Sequence, residues 1–169
     1  KKGDKTPGIQ RQYCGATGKK DNCVVKVQLG YVSGDFHTLI DSDLYLPEEA
    51  WHQDRQRCQE AGIPEEVVYR PKWQIALDQL EEALQNGVRF KYLTADEEYG
   101  KSPCFRQKVA ASGLVFVVEV PCHLCGWTKP PEVILPSTAK ADAGCPLPKA
   151  RLALTAPKCR RVDRLWKRG

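Results

Sequence analysis

Three acids stand together at Asp96, Glu97 and Glu98, directly after the apolar run Val-Arg-Phe-Lys-Tyr-Leu-Thr-Ala at residues 88–95. Magnesium takes oxygen ligands, usually one or two carboxylates completed by water and substrate phosphates. In open α/β sheets, ligands collect at the carboxyl ends of strands, so an acid placed there reaches a metal without crossing the core. Asp96 is the candidate metal ligand on this pattern. The same acids also fit a solvated turn, and one carboxylate alone is not a metal site.

A second pattern is Cys122-His123-Leu124-Cys125, a pair that clasps zinc when two further ligands complete a tetrahedron. The remaining thiols of that region, Cys145 and Cys159, do not form a second knuckle, so zinc is not expected. The pair follows a strand rather than opening a helix, which argues against a thioredoxin-like role. Gly15-Ala16-Thr17-Gly18-Lys19-Lys20 lacks the spacing of a phosphate-binding loop and reads as a turn with basic residues. His37, His52 and His123 fall on a strand, a polar helix and a loop, where surface or hydrogen-bonded roles are usual. Nucleophile-elbow, P-loop and H-E-x-x-H motifs are absent from the sequence.

Regular elements must hold these residues. Residues 23–33 alternate Val25, Val27 and Leu29 with polar Lys26 and Gln28, predicting a strand, and residues 36–46 predict its antiparallel partner across Ser33-Gly34-Asp35. The first fifteen or so residues read as loop or hairpin approach rather than packed structure. Pro47-Glu48-Glu49 predicts the start of a short polar helix that stops at Gly62. Trp73, Ala76, Leu77, Leu80, Ala83 and Leu84 recur at helical steps, predicting a helix over 73–86 that Gly87 ends. After the strand at 88–95, Ser102-Pro103 caps another helix that closes at Gly113. Residues 114–120 are almost continuously apolar, as in a strand buried on both faces. This order predicts a crossover and a partly parallel sheet. From Pro121 onward prolines accumulate, predicting irregular chain up to the basic tail from Lys158.

The 169 residues, 41% hydrophobic, suit one domain with its own core. Neither a membrane span nor a secretory signal is present in the sequence, so a cytoplasmic protein is expected. Eight cysteines spread from Cys14 to Cys159 read as reduced thiols. The net charge of +5 is uneven: residues 1–20 carry six basic residues against one acid, residues 140–169 nine against two, and the middle is acidic. Basic ends can meet nucleic-acid phosphates, and they are also common solvated tails. With no methionine and a start at Lys1-Lys2, the chain reads as a fragment.

Several short blocks then agree in series: Arg11-Gln12-Tyr13-Cys14-Gly15, Gly18-Lys19, Asp21-Asn22-Cys23, Leu29-Gly30-Tyr31, Leu44-Tyr45-Leu46-Pro47-Glu48, Gly62-Ile63-Pro64, and Ala95-Asp96-Glu97 with Tyr99-Gly100. Together they resemble a DDE-superfamily insertion-sequence transposase over about residues 1 to 136. The resemblance implies an α/β, RNase H-like mixed sheet flanked by helices, with residues 1–121 a partial catalytic domain and 122–169 a Pro-rich, basic segment. It implies a bacterial enzyme in which three carboxylates hold two Mg2+ or Mn2+ ions for cleavage and strand transfer on DNA, the ions stabilising attacking and leaving oxygens together. Asp96 matches the second catalytic aspartate and takes that role and that metal. Glu97 and Glu98 take none.

The first aspartate of that family lies on a strand before the Lys-Lys-Gly block, and the glutamate on a later helix with a Tyr-x-x-Arg-x-x-x-Glu pattern. This sequence has neither. The expectation is a fold lacking its first central strand and its later catalytic helix, truncated at both ends and inactive alone. DNA is the expected partner, with self-association also open. Two other functions compete: a non-catalytic DNA-binding module using the basic ends, and a zinc-stabilised interaction domain.

Overall fold

The computed structural model describes residues 3–134 and 150–165. The chain divides into two compact units, Lys1–Glu119 and Val120–Gly169. No helix among the described residues is long and apolar enough to cross a membrane.

The first unit opens with a hairpin where loop or hairpin approach was expected. Strand β1 (Gln10–Cys14) pairs antiparallel with β2 (Lys19–Cys23), from Gln10 opposite Cys23 to Cys14 opposite Lys19. The polar strands hid this element, since their period-2 pattern carries little apolar contrast. What holds it is backbone pairing, a Gln12 amide donating to the Cys23 carbonyl, and the buried anchor Ile9 just before it. Gly15–Gly18 supplies the turn, with Gly18 at φ 64°.

The second hairpin matches the alternation read from sequence. Strand β3 (Lys26–Ser33) pairs with β4 (Phe36–Leu44), with Gly34 at φ 58° in the turn and an irregularity at Leu29/Gly30. Pro47 leads into a wide turn at Glu48–His52, and helix α1 (Arg55–Glu60) follows. The single helix expected here is broken because Asp54 caps the second piece, its carboxylate accepting the Arg57 N–H at 3.0 Å. Nor is it wholly polar: Trp51 and Cys58 are buried with Ile9 and Leu46 in a small core.

Helix α2 (Lys72–Gln85) buries Leu77, Leu80 and Ala83 of the face its periodicity marked, together with Ile75 and Gln79, which it did not mark, whereas Leu84 is exposed. Strand β5 (Tyr92–Ala95) is shorter than expected, because the Val88 N–H is used to close α2 on the Ala83 carbonyl. Helix α3 (Glu97–Gly100) is a single turn, and α4 (Pro103–Ala111) begins at Ser102, whose hydroxyl accepts the Phe105 N–H at 3.3 Å. Strand β6 (Val115–Val118) then pairs parallel with β5, in register from Tyr92/Val115 to Ala95/Val118. The crossover is therefore present.

Two expectations change. Strand β6 is buried on one face only: Phe116 and Val118 pack with Leu77, Leu80, Phe105 and Val109, whereas Val115 and Val117 are 59% and 67% exposed. An unbroken apolar run marks a strand but does not by itself supply a second covering layer. The strands also form separate two-stranded pairs among the described residues, with no backbone ladder joining β3–β4 to β5–β6.

In the second unit, the region expected to be irregular holds two short antiparallel pairings. Strands β7 (Cys125–Gly126) and β10 (Arg160–Arg161) pair, as do β8 (Val133–Ile134) and β9 (Arg151–Leu152). Trp127 donates its indole N–H to the Pro157 carbonyl at 2.7 Å. Such contacts lie far apart in sequence, where a local reading of proline content does not reach. Residues 135–149, including Cys145, and 166–169 of the basic tail lie outside the described residues.

Candidate active site

Asp96 sits immediately after β5, at the carboxyl end of the parallel pair. Its backbone is extended, at φ −77° and ψ −179°, and it caps α3: its Oδ1 accepts the Glu98 N–H at 2.9 Å and its carbonyl accepts the Gly100 N–H at 2.9 Å. The side chain is exposed. The solvated-turn reading and the ligand reading thus share one geometry, in which one carboxylate oxygen is engaged and the other has no hydrogen-bond partner among the described residues.

The neighbouring acids have different surroundings. Glu98 is held by Lys101 at 2.5 Å and Lys72 at 3.5 Å. Partial burial works against its charge, but the Lys101 hydrogen bond and the two ammonium charges outweigh it and hold the carboxyl below its usual range. Glu97 is exposed and pairs with no cation among the described residues. Glu98 is therefore spoken for, whereas among the described residues Asp96 keeps one carboxylate oxygen unpaired and Glu97 both.

Sequence reasoning gave no role to Tyr99, which lies one helical turn on from Asp96. With Asp96, Thr94 and Gln28 it lines a cavity of about 230 Å3, its ring 5.7 Å from that of Phe105. Burial first, then the negative charges of Asp96 and Glu98, push its phenol up to about 12. The phenol stays protonated at neutral pH. The i, i+3 spacing from an acid cap was the available signal, because a residue at N3 returns to the cap's side of the helix.

Gly100 sets how closely this turn approaches the strand. A Cβ placed there would lie 1.8 Å from the Glu119 carbonyl oxygen and 3.3 Å from Val118 Cβ. Glu119 in turn donates its N–H to the Ala95 carbonyl at 3.0 Å, extending the β5–β6 pairing past Val118. The cap at Asp96 is thereby clamped to the end of β6.

A match to the model of the DDE superfamily endonucleases extends over residues 1–168. The chain belongs to this family. The DDE chain is also 36% identical, over 103 residues, to the protein described as a probable transposase for insertion sequence element IS701 from Microchaete diplosiphon. That alignment covers 60% of the DDE chain and 24% of the relative, so the DDE chain spans about a quarter of the curated relative's length. No solved structure matches.

DDE superfamily endonucleases are generally dependent on divalent metal. The described residues do not by themselves fit such an ion. No group of three His, Cys, Asp or Glu side chains is placed to hold a metal among them. Asp96 offers one free oxygen, where magnesium requires a near-octahedral set.

The remaining candidates lie apart from Asp96 in sequence and role. Cys122 and Cys125 are exposed free thiols on and beside β7, with Cys122 Sγ 3.9 Å from Arg161 Nη2, and Cys159 is likewise free. The four-thiol zinc arrangement would need Cys145, which is outside the described residues. Of the Gly15–Lys20 stretch, residues 15–18 are the β1–β2 turn, where the Thr17 and Gly18 N–H groups are taken by the Cys14 carbonyl, and Lys19 and Lys20 open β2. His37 is exposed on β4, His123 is exposed in a turn, and His52 closes the wide turn before α1.

Proposed function

We propose that this chain is the central portion of a DDE transposase, and that Asp96 is one carboxylate of the cluster with which the whole enzyme binds Mg2+ or Mn2+ to cleave and join DNA phosphodiester bonds. The observation that carries the reading is the position of Asp96: an exposed acid with one free oxygen, at the carboxyl end of a strand in a β-α-β crossover, within a chain of DDE family. The hairpin β3–β4, helix α2 and parallel pair β5–β6, in that order, support an RNase H-like arrangement in which such an acid lies at the sheet's open end. The likeness to a probable IS701 transposase supports DNA as substrate.

With one carboxylate in place, the chain alone does not cut DNA. Incubated with supercoiled plasmid in Mg2+ or Mn2+, it leaves the plasmid intact; nicking that Asp96→Ala removes would overturn this. The role of Asp96 is tested in a longer polypeptide that joins this chain to the flanking segments of the IS701-type relative. There Asp96→Asn lowers metal-dependent cleavage by about a hundredfold or more, and Glu97→Gln leaves it within about twofold, the scale on which loss of a transition-state charge contact separates from a surface change. Equal rates for the two variants would remove Asp96 from the reaction.

A further inference from the structure

Contacts from far along the chain bring Cys122 and Cys125 beside one guanidinium. The Leu124 N–H donates to the Pro121 carbonyl at 2.8 Å, folding Cys122-His123 into a turn, and the Leu124 carbonyl accepts the Val162 N–H at 2.7 Å, pinning that turn to the chain just after β10. Cys125 then opens β7 directly opposite Arg161 of β10. Residues so opposed hold their Cβ atoms about 4.5–5.5 Å apart on one face. The Cys125 thiol reaches back to the His123 carbonyl at 3.6 Å, and Arg161 Nη2 reaches the Cys122 sulfur at 3.9 Å. Both thiols are free and exposed.

A pair of thiols without a third ligand selects a narrow class of cation. Thiolates are soft donors, which favour Cu(I), Zn2+ and iron–sulfur clusters over hard ions such as Mg2+. Zn2+ takes a closed tetrahedron of ligands, whereas no third His, Cys, Asp or Glu joins this pair among the described residues. A monovalent d10 ion such as Cu(I) is satisfied by two thiolates in line. The charge around the pair agrees with that choice. Two thiolates and one Cu(I) carry a net negative charge, and the facing stretch at 158–164 carries Lys158, Arg160, Arg161 and Arg164 against Asp163 alone. Its surplus is therefore positive even though Asp163 holds Arg161 at 2.6 Å. The Asp163 carboxylate first, then more weakly the Cys122 and Cys125 sulfurs, push the Arg161 guanidinium up, so both sulfurs lie within its field.

We propose that Cys122 and Cys125 are a two-thiolate site for a soft monovalent d10 cation, Cu(I), with Arg161 as its countercharge. Binding forms two S–Cu bonds, releases both thiol protons to solvent and changes no oxidation state. A metal-bound thiol gives up its proton outright, so no base is needed beside the pair. Arg161 does not touch the ion and acts through the Cys122 sulfur, as a positioning residue. The site rests on nothing proposed for Asp96.

The test titrates the full chain, reduced and kept free of oxygen, against the coloured Cu(I)–bicinchoninate complex. The chain is expected to withdraw one Cu(I), with two sulfur neighbours by X-ray absorption. Cys122→Ser and Cys125→Ser each remove a ligand and weaken binding at least about a hundredfold, while Arg161→Gln, which leaves both sulfurs, weakens it about tenfold, the scale for groups that support metal ligands. The Arg161→Gln difference shrinks with salt, and Arg161→Lys, which keeps the charge, stays within about threefold of the wild type. Cys14→Ser, Cys145→Ser and Cys159→Ser leave the affinity within about twofold, since none of the three supplies a ligand or supports one. No withdrawal of Cu(I), full retention by either ligand variant, or three sulfur neighbours would overturn the proposal. Loss of binding in Cys145→Ser or Cys159→Ser would do so too, because the pair would then belong to a larger thiol cluster of the kind zinc takes. Amide exchange at residues 125 and 161 checks that the variants keep the β7–β10 pairing, and Cys122→Ala and Cys125→Ala replace any serine variant that loses it.

Discussion

Gly100 and Tyr99 constrain the Asp96 turn from opposite directions, one by lacking a side chain and the other by burying one. A methyl group at Gly100 meets the Glu119 backbone, which cannot swing aside as a flexible side chain could. Gly100→Ala is therefore expected to destabilise the first unit by about 2 kcal/mol, in the range of overpacked cores, measurable as a lowered midpoint of urea unfolding. An unchanged midpoint would mean that α3 is not clamped on β6. Tyr99 gives a pH test of the same turn. Its phenol titrates at about 12 when folded, above the usual value near 10 for an unfolded tyrosine. The folded state thus holds the proton more tightly. That stabilisation is complete below pH 10 and is lost as pH rises from about 10 to 12. Unfolding midpoints taken across that window should fall more steeply for the wild type than for Tyr99→Phe; parallel curves would show that the phenol is neither buried nor in the field of Asp96 and Glu98.

At the scale of elements, the first unit depends on contacts that join segments distant in sequence. Trp51 is fully buried, and its indole N–H donates to the Ile9 carbonyl at 2.8 Å, fastening the wide turn to the chain before β1. Trp51→Ala should cost about 3–5 kcal/mol, and Trp51→Phe, which keeps most of the apolar volume but strands a carbonyl, about 1–3 kcal/mol. Equilibrium unfolding of both variants would check the order, and a larger loss for Phe would contradict it. The sequence made β3, β4, α2 and the crossover legible because each carries its own period and stop signal: alternation around Val25, Val27 and Leu29, three- and four-residue steps from Trp73, glycines at 34, 87 and 113. The strands β1 and β7 to β10 were not legible. Their residues are polar or too few to show a period, and β7 to β10 also find their partners far along the chain. The same limit applies to the site. Asp96 could be found from its place after an apolar strand, whereas the Lys72 contact to Glu98 crosses from α2, and nothing local to residues 96–100 announces it.

For the molecule as a whole, the uneven charge bears on whether the chain holds DNA phosphates. Basic residues concentrate in residues 1–20 and 140–169 while the middle is acidic, so attraction to phosphates should be carried by the ends and opposed by the centre. If both ends engage a duplex, binding releases counterions, and log affinity falls with log salt by about 0.9 for each phosphate contacted. With four contacts, raising salt from about 50 to 200 mM would lower affinity by roughly a hundredfold. Fluorescence anisotropy on a random duplex is expected to give a slope between about −3 and −6, little altered by Asp96→Asn, since a lone exposed acid near the centre contributes at most one charge to the whole field. A slope near zero would show that the basic ends do not hold phosphates. The charge pattern would then be no more than the solvation of the chain's ends.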